Sequence, residues 1–244
     1  MTEVVASEIR NRLEIVRENI EDALRRSGRE GEEVRILVAG KYYSAGQIAA
    51  LKEAGAVLLG ENRAEDLAEK QGKFGDDFEW HFIGHVQRRK AKEVVPRVSL
   101  IHSVDSVRLI EELAKRAGSA DGESVEILLQ VNVSGEESKY GVGEGEIEEL
   151  LEAAAVTEGK VSIRGFMTLA PMVEEAREVR YVFAKLKEIR DSLKRSWSPH
   201  FELAELSMGM SNDYAAAVEE GATIVRIGRT LIEEDVPVRR QDGS

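Results

Sequence analysis

The sequence predicts an α/β fold, a single (β/α)8 barrel of the TIM type, and three observations indicate it. Short runs rich in Val, Ile and Leu alternate with amphipathic segments, which is typical of parallel strands that are buried on both faces. Eight such runs occur in 244 residues, a length that one barrel commonly needs. No linker, repeat or break in composition divides 1–244, so we interpret the chain as one domain. The same pattern also allows a doubly wound open sheet.

The predicted elements alternate between strand and helix after one additional N-terminal helix. That helix spans 7–26, where apolar residues recur every three or four positions and form one face, which we expect to pack across the outside of the sheet. Gly55 is a natural stop for the second helix, because glycine readily adopts the left-handed conformation found at helix ends. Residues 237–244 are predicted to be a frayed tail. The predicted strands are 34–40, 57–60, 80–83, 100–103, 126–132, 162–167, 205–208 and 223–227, and the later helices are 45–54, 64–72, 89–94, 107–117, 146–156, 173–196 and 212–220.

Composition argues against several classes of protein. The chain has 34 Lys and Arg against 46 Asp and Glu, a net charge of −12, which disfavours binding to nucleic acid. No apolar run approaches the roughly 18 residues of a membrane-spanning helix. The first residues are charged and lack an apolar segment, so we expect no secretory signal and a cytoplasmic protein. The chain has no cysteine, and His81 and His85 lack a third ligand, so we expect no metal site.

Two segments near the C-terminus carry features of a phosphate site. In TIM barrels, function lies at the carboxyl ends of the strands, and phosphate is often bound after strands seven and eight. Strand seven leads into a loop with the flexible Gly209 and the hydroxyls of Ser207 and Ser211, just before a helix N-terminus. The alternative is that Ser211 or Asn212 only caps that helix.

A second feature of a phosphate site lies at the end of strand eight. Gly228 stands where the backbone can approach a ligand closely, and the N–H groups that follow can point at it. Arg226 alternates with two apolar neighbours, so its side chain points into the barrel while theirs point toward the helices, or the reverse. An inward guanidinium at this depth needs an acceptor, which could also be a structural glutamate of the barrel.

Lys41 directly follows the buried first strand. A lysine in such a place can act as an amine nucleophile and form a Schiff base with a carbonyl, although most lysines at strand ends only reach solvent. Strands eight and one are neighbours in a closed barrel, so Lys41 would lie beside the phosphate elements. An aldehyde for Lys41, a phosphate for the loops and a ring nitrogen for Arg226 together indicate pyridoxal 5′-phosphate (PLP). An arginine at that nitrogen disfavours its protonation, so such a site would bind PLP well but stabilise carbanions poorly.

The sequence resembles the PLP homeostasis (PLP-binding) protein family. The fold of this family is similar to the N-terminal barrel of alanine racemase: it is the fold type III barrel without the extra β domain that the racemase has. The likeness runs from about residue 10 to residue 232. The motifs that carry it are Ala39-Gly40-Lys41, Gly60-Glu61-Asn62, Trp80-His81-Phe82-Ile83-Gly84, His102-Ser103-Val104-Asp105, Gln130-Val131-Asn132, Lys139-Tyr140-Gly141, Gly165-Phe166-Met167-Thr168, Leu206-Ser207-Met208-Gly209-Met210-Ser211 and Val225-Arg226-Ile227-Gly228.

The resemblance implies a role for each matching residue. Lys41 carries PLP as a Schiff base, and Arg226 faces the pyridine nitrogen. Ser207 or Ser211, in the loop of Gly209, holds the phosphate together with the backbone N–H groups of Gly228 and Arg229. The remaining matches line the same end of the barrel or, for the lysine, lie near its entrance; they are Asn62, His81, Met167, Met208 and Lys139.

The chain departs from the family pattern at two places. The family usually has Ser before the lysine and Thr after it, where this chain has Gly40 and Tyr42. It also usually has Gln-x-Asn-Lys after the His-Phe-Ile-Gly motif, where this chain has Gln87-Arg88-Arg89-Lys90. Neither departure removes an atom that the Schiff base needs, but both change the surroundings of Lys41 and the entrance.

The favoured function is therefore a monomeric, non-catalytic PLP-binding protein of vitamin B6 homeostasis, which stores PLP or delivers it to PLP-dependent apo-enzymes. The alternative is a PLP-dependent amino-acid racemase-like enzyme. Racemases of this fold take a second acid/base tyrosine from an additional β domain and a dimer partner, and only 17 residues follow the last predicted strand here. A third possibility is a barrel that binds another phosphorylated metabolite.

Overall fold

In the computed structural model, eight parallel strands form a closed barrel in which β8 pairs with β1. The structure describes residues 2–117, 124–136, 140–173 and 175–232. Closure of the sheet confirms the predicted barrel and excludes the open sheet. The strands are β1 Arg35–Ala39, β2 Leu58–Glu61, β3 Glu79–Phe82, β4 Leu100–Val104, β5 Val125–Gln130, β6 Val161–Met167, β7 Glu205–Met210 and β8 Ile224–Ile227. The helices are α1 Thr2–Arg26, α2 Ala45–Glu53, α3 Ala64–Phe74, α4 Ala91–Val94, α5 Val107–Ala117, α6 Ile147–Ala155, α7 Arg180–Trp197 and α8 Tyr214–Glu219.

The N-terminal helix α1 covers the outside of the barrel next to the β8–β1 seam. It packs against α2 and α8 and begins five residues earlier than predicted. Asn19 donates a hydrogen bond of 2.6 Å to the hydroxyl of Tyr214, which ties α1 to α8. The predicted apolar face is buried; its members are Ile9, Leu13, Val16, Ile20 and Leu24.

Each strand lies within two residues of its predicted position, whereas some helix starts differ more. Helix α7 begins at Arg180, seven residues later than predicted, after a 3-10 turn over Ala176–Val179. The Glu178 carboxylate accepts a hydrogen bond from the Glu175 backbone N–H at 3.1 Å, which fixes the first turn at this point. The predicted helix 89–94 is a 3-10 turn, Arg88–Lys90, followed by the short α4. The predicted tail, 237–244, lies outside the described residues.

The buried residues form two layers. The larger layer lies between the strands and the surrounding helices. The smaller one fills the barrel interior; it consists of Leu37, Leu58, Leu100, Leu128, Met167 and Ile224, with Ile83 packed against it. The interior also holds fully buried polar side chains, among them His81, His102 and Ser207. Since buried polar groups need hydrogen-bond partners, these side chains must be bonded to one another or to a ligand.

Among the residues that the structure describes, no helix has the length and apolar character that crossing a bilayer requires.

Candidate functional site

The candidate site lies where β1, β7 and β8 end. Lys41 is exposed, on a 3-10 turn over Gly40–Tyr42 that directly follows β1, and its Nζ lies 4.7 Å from the centre of the Tyr42 ring. The hydroxyl of Tyr43 donates a 2.9 Å hydrogen bond to the carbonyl of Gly228, at the end of β8. The expectation that the lysine turn is a neighbour of the strand-eight loop is therefore confirmed.

Gly228 allows the close packing of these two loops. A Cβ at this position would lie 2.9 Å from Cε2 of Tyr42, closer than carbon atoms normally approach. Its backbone N–H lies 3.5 Å from Oγ of Ser211, in the loop after β7. An N–H donor and a hydroxyl thus face each other at the carboxyl end of the barrel, which is a suitable arrangement for the oxygens of a phosphate.

The loop after β7 brings Ser211 to this position without using it as a helix cap. The residue that precedes α8 is Asp213, and its buried carboxylate accepts a hydrogen bond from the Met210 backbone N–H. The interpretation of Ser211 or Asn212 as a simple cap is therefore wrong. Gly209 has a φ of +89°, and a Cβ there would lie 2.6 Å from Cβ of Ala217. Glycine is required here because α8 approaches the strand end so closely.

Arg226 points into the barrel, which settles the two orientations that the sequence left open. Its Nη1 donates to Oγ of Ser207 at 2.7 Å, and its Nη2 donates to the carbonyl of Thr168 at 2.9 Å. Burial lowers the pKa of Arg226 to about 10, so the group stays charged at neutral pH, and Asp213 acts in the opposite direction. In the described ranges, no carboxylate lies within salt-bridge distance of Arg226. Because its five N–H groups exceed these two acceptors, the guanidinium can donate further hydrogen bonds to a ligand.

Ser207 contributes to the barrel interior rather than to the loop. The side chain is fully buried, and its Oγ contacts Nδ1 of His102 at 2.9 Å in addition to Arg226. Of the two serines that the sequence offers for a phosphate, Ser211 is therefore the one with a hydroxyl near the strand-eight N–H.

Two other expected residues lie elsewhere. His81 is fully buried inside the barrel, and its two ring nitrogens contact His102 and Glu79, both at 2.8 Å, so both nitrogens are occupied by partners within the protein. Met208 belongs to the layer between sheet and helices, because it follows the inward-pointing Ser207 and so points outward. The expectation that His81 and Met208 line the carboxyl end is wrong for both side chains.

Met167 and Asn62 remain compatible with the site. Met167 ends β6 and is buried in the barrel interior. Asn62 directly follows β2, and its Oδ1 is buried without a hydrogen-bond partner. An orphaned buried acceptor costs free energy unless a ligand or water supplies a donor. Lys139, expected near the entrance, lies outside the described residues.

Beside Lys41 lies a buried ion pair, which sequence patterns alone do not predict. Glu61 is fully buried and bonds to Lys70 at 2.6 Å, and Lys70 Nζ also donates to the carbonyl of Gly40 at 2.8 Å. Burial raises the pKa of Glu61, while the bond from Lys70 lowers it. A Cβ on residue 40 would lie 2.2 Å from Oε1 of Glu61, so the carboxylate occupies the space of a side chain there. The pair supports the turn that carries Lys41.

The described part of the chain contains no cluster of three or more His, Asp or Glu side chains suited to hold a metal ion.

No protein-family model matches the chain. The chain is similar to proteins named pyridoxal phosphate homeostasis protein. The one from Aquifex aeolicus is 41% identical over 224 residues, which cover 91% of this chain and 96% of that protein. The one from Escherichia coli K12 is 34% identical over 237 residues, which cover 92% of this chain and 96% of that protein.

The chain is also similar to solved structures. PipY from Synechococcus elongatus PCC7942, solved with PLP bound, is 32% identical with a TM-score of 0.77, and the match covers 92% of this chain and 100% of PipY. Alanine racemase from Corynebacterium glutamicum shares the barrel fold at 12% identity, with a TM-score of 0.67, over 94% of this chain and 60% of the racemase.

Proposed function

Because the chain belongs to the pyridoxal phosphate homeostasis protein family, we propose that it binds PLP at the carboxyl end of its barrel and stores or delivers it in vitamin B6 homeostasis. The observation that carries this proposal is the convergence of four kinds of group at the ends of three neighbouring strands. They are the amine of Lys41 after β1, the hydroxyl of Ser211 after β7, and the N–H of Gly228 with the Arg226 guanidinium from β8.

Each of these groups matches one part of PLP. Bound PLP would supply an aldehyde, the partner that a primary amine needs for Schiff-base chemistry. Lys41 provides that amine. Ser211, the backbone N–H groups of Gly228 and Arg229, and the backbone at Gly209, near the end of β7, hold the phosphate. Arg226 donates to the pyridine nitrogen, and Met167 and Asn62 line the base of the site.

We also propose that the protein is a carrier rather than an enzyme. A cation at the pyridine nitrogen disfavours its protonation, which weakens the electron sink that amino-acid chemistry requires. A racemase of this fold also needs a tyrosine as its second acid/base. The hydroxyl of Tyr43 is hydrogen-bonded to the carbonyl of Gly228, and that of Tyr214 is hydrogen-bonded to Asn19 of α1. Tyr42 is the tyrosine next to Lys41. The names of the relatives agree with this role, since they describe homeostasis and not a reaction.

Hydrogen exchange at the α carbon of amino acids separates a carrier from a racemase. The PLP-loaded protein is incubated in D2O with single enantiomers of amino acids, and deuterium at the α position is followed by NMR. We expect no exchange at rates typical of enzymes, which are about 1 to 1000 per second. Exchange at such rates that disappears in Tyr42→Phe would identify an enzyme and contradict the carrier proposal.

A pair of serine variants tests the assignment of the phosphate. Ser211→Ala is expected to weaken PLP binding by about 10-fold, because a hydrogen bond to a charged group contributes about 1.5 kcal/mol. It should leave the affinity for pyridoxal, which lacks the phosphate, unchanged. Ser207→Ala is the matched control: it should not reduce the preference for PLP over pyridoxal. Affinities measured by fluorescence titration give both ratios, and a loss of preference in Ser207→Ala alone would reverse the assignment.

The proposal includes the domain organisation, location, oligomeric state and partners of the protein. We propose that 1–244 is one PLP-binding domain, that the protein is a cytoplasmic monomer, and that PLP-dependent apo-enzymes receive its PLP. The net charge of −12 supports the expected absence of nucleic acid among its partners.

A further inference from the structure

A row of polar side chains, all buried except that of Glu79, crosses the barrel interior from its amino end to Arg226. Glu79, the first residue of β3, contacts Nε2 of His81 at 2.8 Å, and Nδ1 of His81 contacts Nε2 of His102 at 2.8 Å. Nδ1 of His102 contacts Ser207 at 2.9 Å, and Ser207 accepts from Arg226 at 2.7 Å. We call these five side chains the interior chain. Its members come from four strands, so the closed barrel alone brings them together.

The charges at the two ends fix the direction of every hydrogen bond. The bond from His81, together with Arg35, lowers the pKa of Glu79 to about 2, so this carboxylate only accepts. His81 must then carry its proton on Nε2, which leaves Nδ1 as an acceptor when the ring is neutral. His102 therefore donates from Nε2 to His81, and its own Nδ1 accepts from the Ser207 hydroxyl. The lone pairs of the Ser207 hydroxyl oxygen then accept the hydrogen bond from Arg226.

We propose that Glu79, His81 and His102 are positioning residues, which hold the guanidinium of Arg226 in one orientation through Ser207, and that protonation of His81 reverses the chain. This inference rests on the proposed function, because it gives Arg226 its role beside PLP. One added proton places N–H groups on both nitrogens of His81. His102 then accepts at Nε2 and donates from Nδ1, and the Ser207 hydroxyl proton must find another acceptor.

The surroundings of the histidines keep the chain in its first direction at neutral pH. Burial lowers the pKa of both imidazoles, that of His102 well below its usual value. Glu79 and Glu205 favour a charged His81, whereas Arg35 disfavours it. His102 is further kept neutral by His81, Arg226 and Arg35. The chain reverses only in acid, below the ordinary histidine pKa of about 6.5.

Protons can reach this chain from the side opposite to the candidate site. Glu79 is 44% exposed, and with Arg35 it lines a cavity of about 600 Å³ between α1 and the amino ends of β1 and β2. The chain therefore connects the solvent at the amino end of the barrel with Arg226 at the carboxyl end. Acidification at one end changes the hydrogen bonding at the other.

The imidazole tautomers in the PLP-free protein test the inference without any ligand. Long-range 1H–15N NMR, with rings assigned through single histidine variants, should show protons on Nε2 of both His81 and His102 at pH 7.5. As acid protonates His81, the proton of His102 should move from Nε2 to Nδ1. An Nδ1–H tautomer on either ring at pH 7.5, or a His102 tautomer that does not follow His81, would overturn the proposal.

Two matched glutamate variants then test the effect on Arg226. Glu79→Gln replaces a carboxylate that only accepts with an amide that can also donate to His81, so the Nδ1–H tautomer of His102 should become populated at pH 7.5, and PLP affinity should fall about 3- to 10-fold with a shifted absorption band. Glu126→Gln is the control, because Glu126 is also 44% exposed at the amino end of a strand beside an arginine. It should change neither the His102 tautomer nor the PLP affinity and spectrum.

The outcomes separate this inference from the proposed function. If the wild-type protein shows the expected tautomers but binds no PLP, only the proposed function is refuted. Equal PLP spectra and affinities in both variants would refute the positioning role.

Discussion

Replacing Lys41 by Ala is expected to abolish covalent retention of PLP and to weaken its binding by roughly 100-fold, about 3 kcal/mol. The reason is that Lys41 is the exposed amine on the turn after β1, beside the strand-eight loop. Gel filtration of the PLP-loaded variant should remove the cofactor, whereas the wild-type protein should retain it. Absorbance of the protein fraction measures the retained cofactor.

Two further variants separate the amine from the positive charge. Lys41→Arg keeps the cation above the Tyr42 ring but lacks a condensing amine, so it should also lose PLP on gel filtration. Lys90→Ala removes a lysine from the loop after β3, where it pairs with Glu65 at 2.8 Å, and should retain PLP like the wild type. Retention of PLP by Lys41→Arg would mean that binding does not depend on the Lys41 amine.

Replacing Lys70 by Met is expected to lower the free energy of unfolding by about 3 to 5 kcal/mol. Lys70 is the partner of Glu61, which is fully buried, so the variant leaves a carboxylate in the interior without its cation. It also removes the hydrogen bond to the carbonyl of Gly40, next to Lys41. Denaturant unfolding followed by circular dichroism measures the loss.

The loss should depend on pH in a defined direction. The pKa of Glu61 is already raised by burial, and without Lys70 it rises further. The folded variant then binds a proton more tightly than the unfolded chain, so its stability falls as pH rises above about 4.5 and recovers in acid. Lys73→Met is the control on the same helix, since its pair with Glu69 is exposed and contributes at most about 1 kcal/mol. Equal losses in the two variants would contradict a buried-pair effect.

The departures from the family pattern near Lys41 have a structural explanation in part. Gly40 leaves room for the buried carboxylate of Glu61. The ring of Tyr42 lies beside two cations, 4.7 Å from Nζ of Lys41 and 5.6 Å from Cζ of Arg229. The segment Arg88–Lys90 forms a 3-10 turn. Nothing in the structure explains why Arg89 stands where the family usually has Asn.

The sequence predicted the barrel well because its strands are short, buried and separated by amphipathic helices. The period of two along a strand also predicts the orientation of Met208, because an inward Ser207 requires an outward Met208 on the same strand. The depth of His81 and the choice between Ser207 and Ser211 could not be predicted. They depend on contacts such as that between His102 and Ser207, 105 residues apart in the chain. The role of Glu61 was hidden for the same reason, since only packing shows that its carboxylate is buried.

Borohydride reduction of the PLP-loaded protein followed by peptide mass mapping identifies the lysine to which PLP is attached. Reduction converts a Schiff base into a stable secondary amine, so the attached lysine is identified by the added mass. We expect one labelled peptide, with the label on Lys41 and no tryptic cleavage after it. A label on any other lysine, or none on a protein that has bound PLP, would overturn the assignment of Lys41.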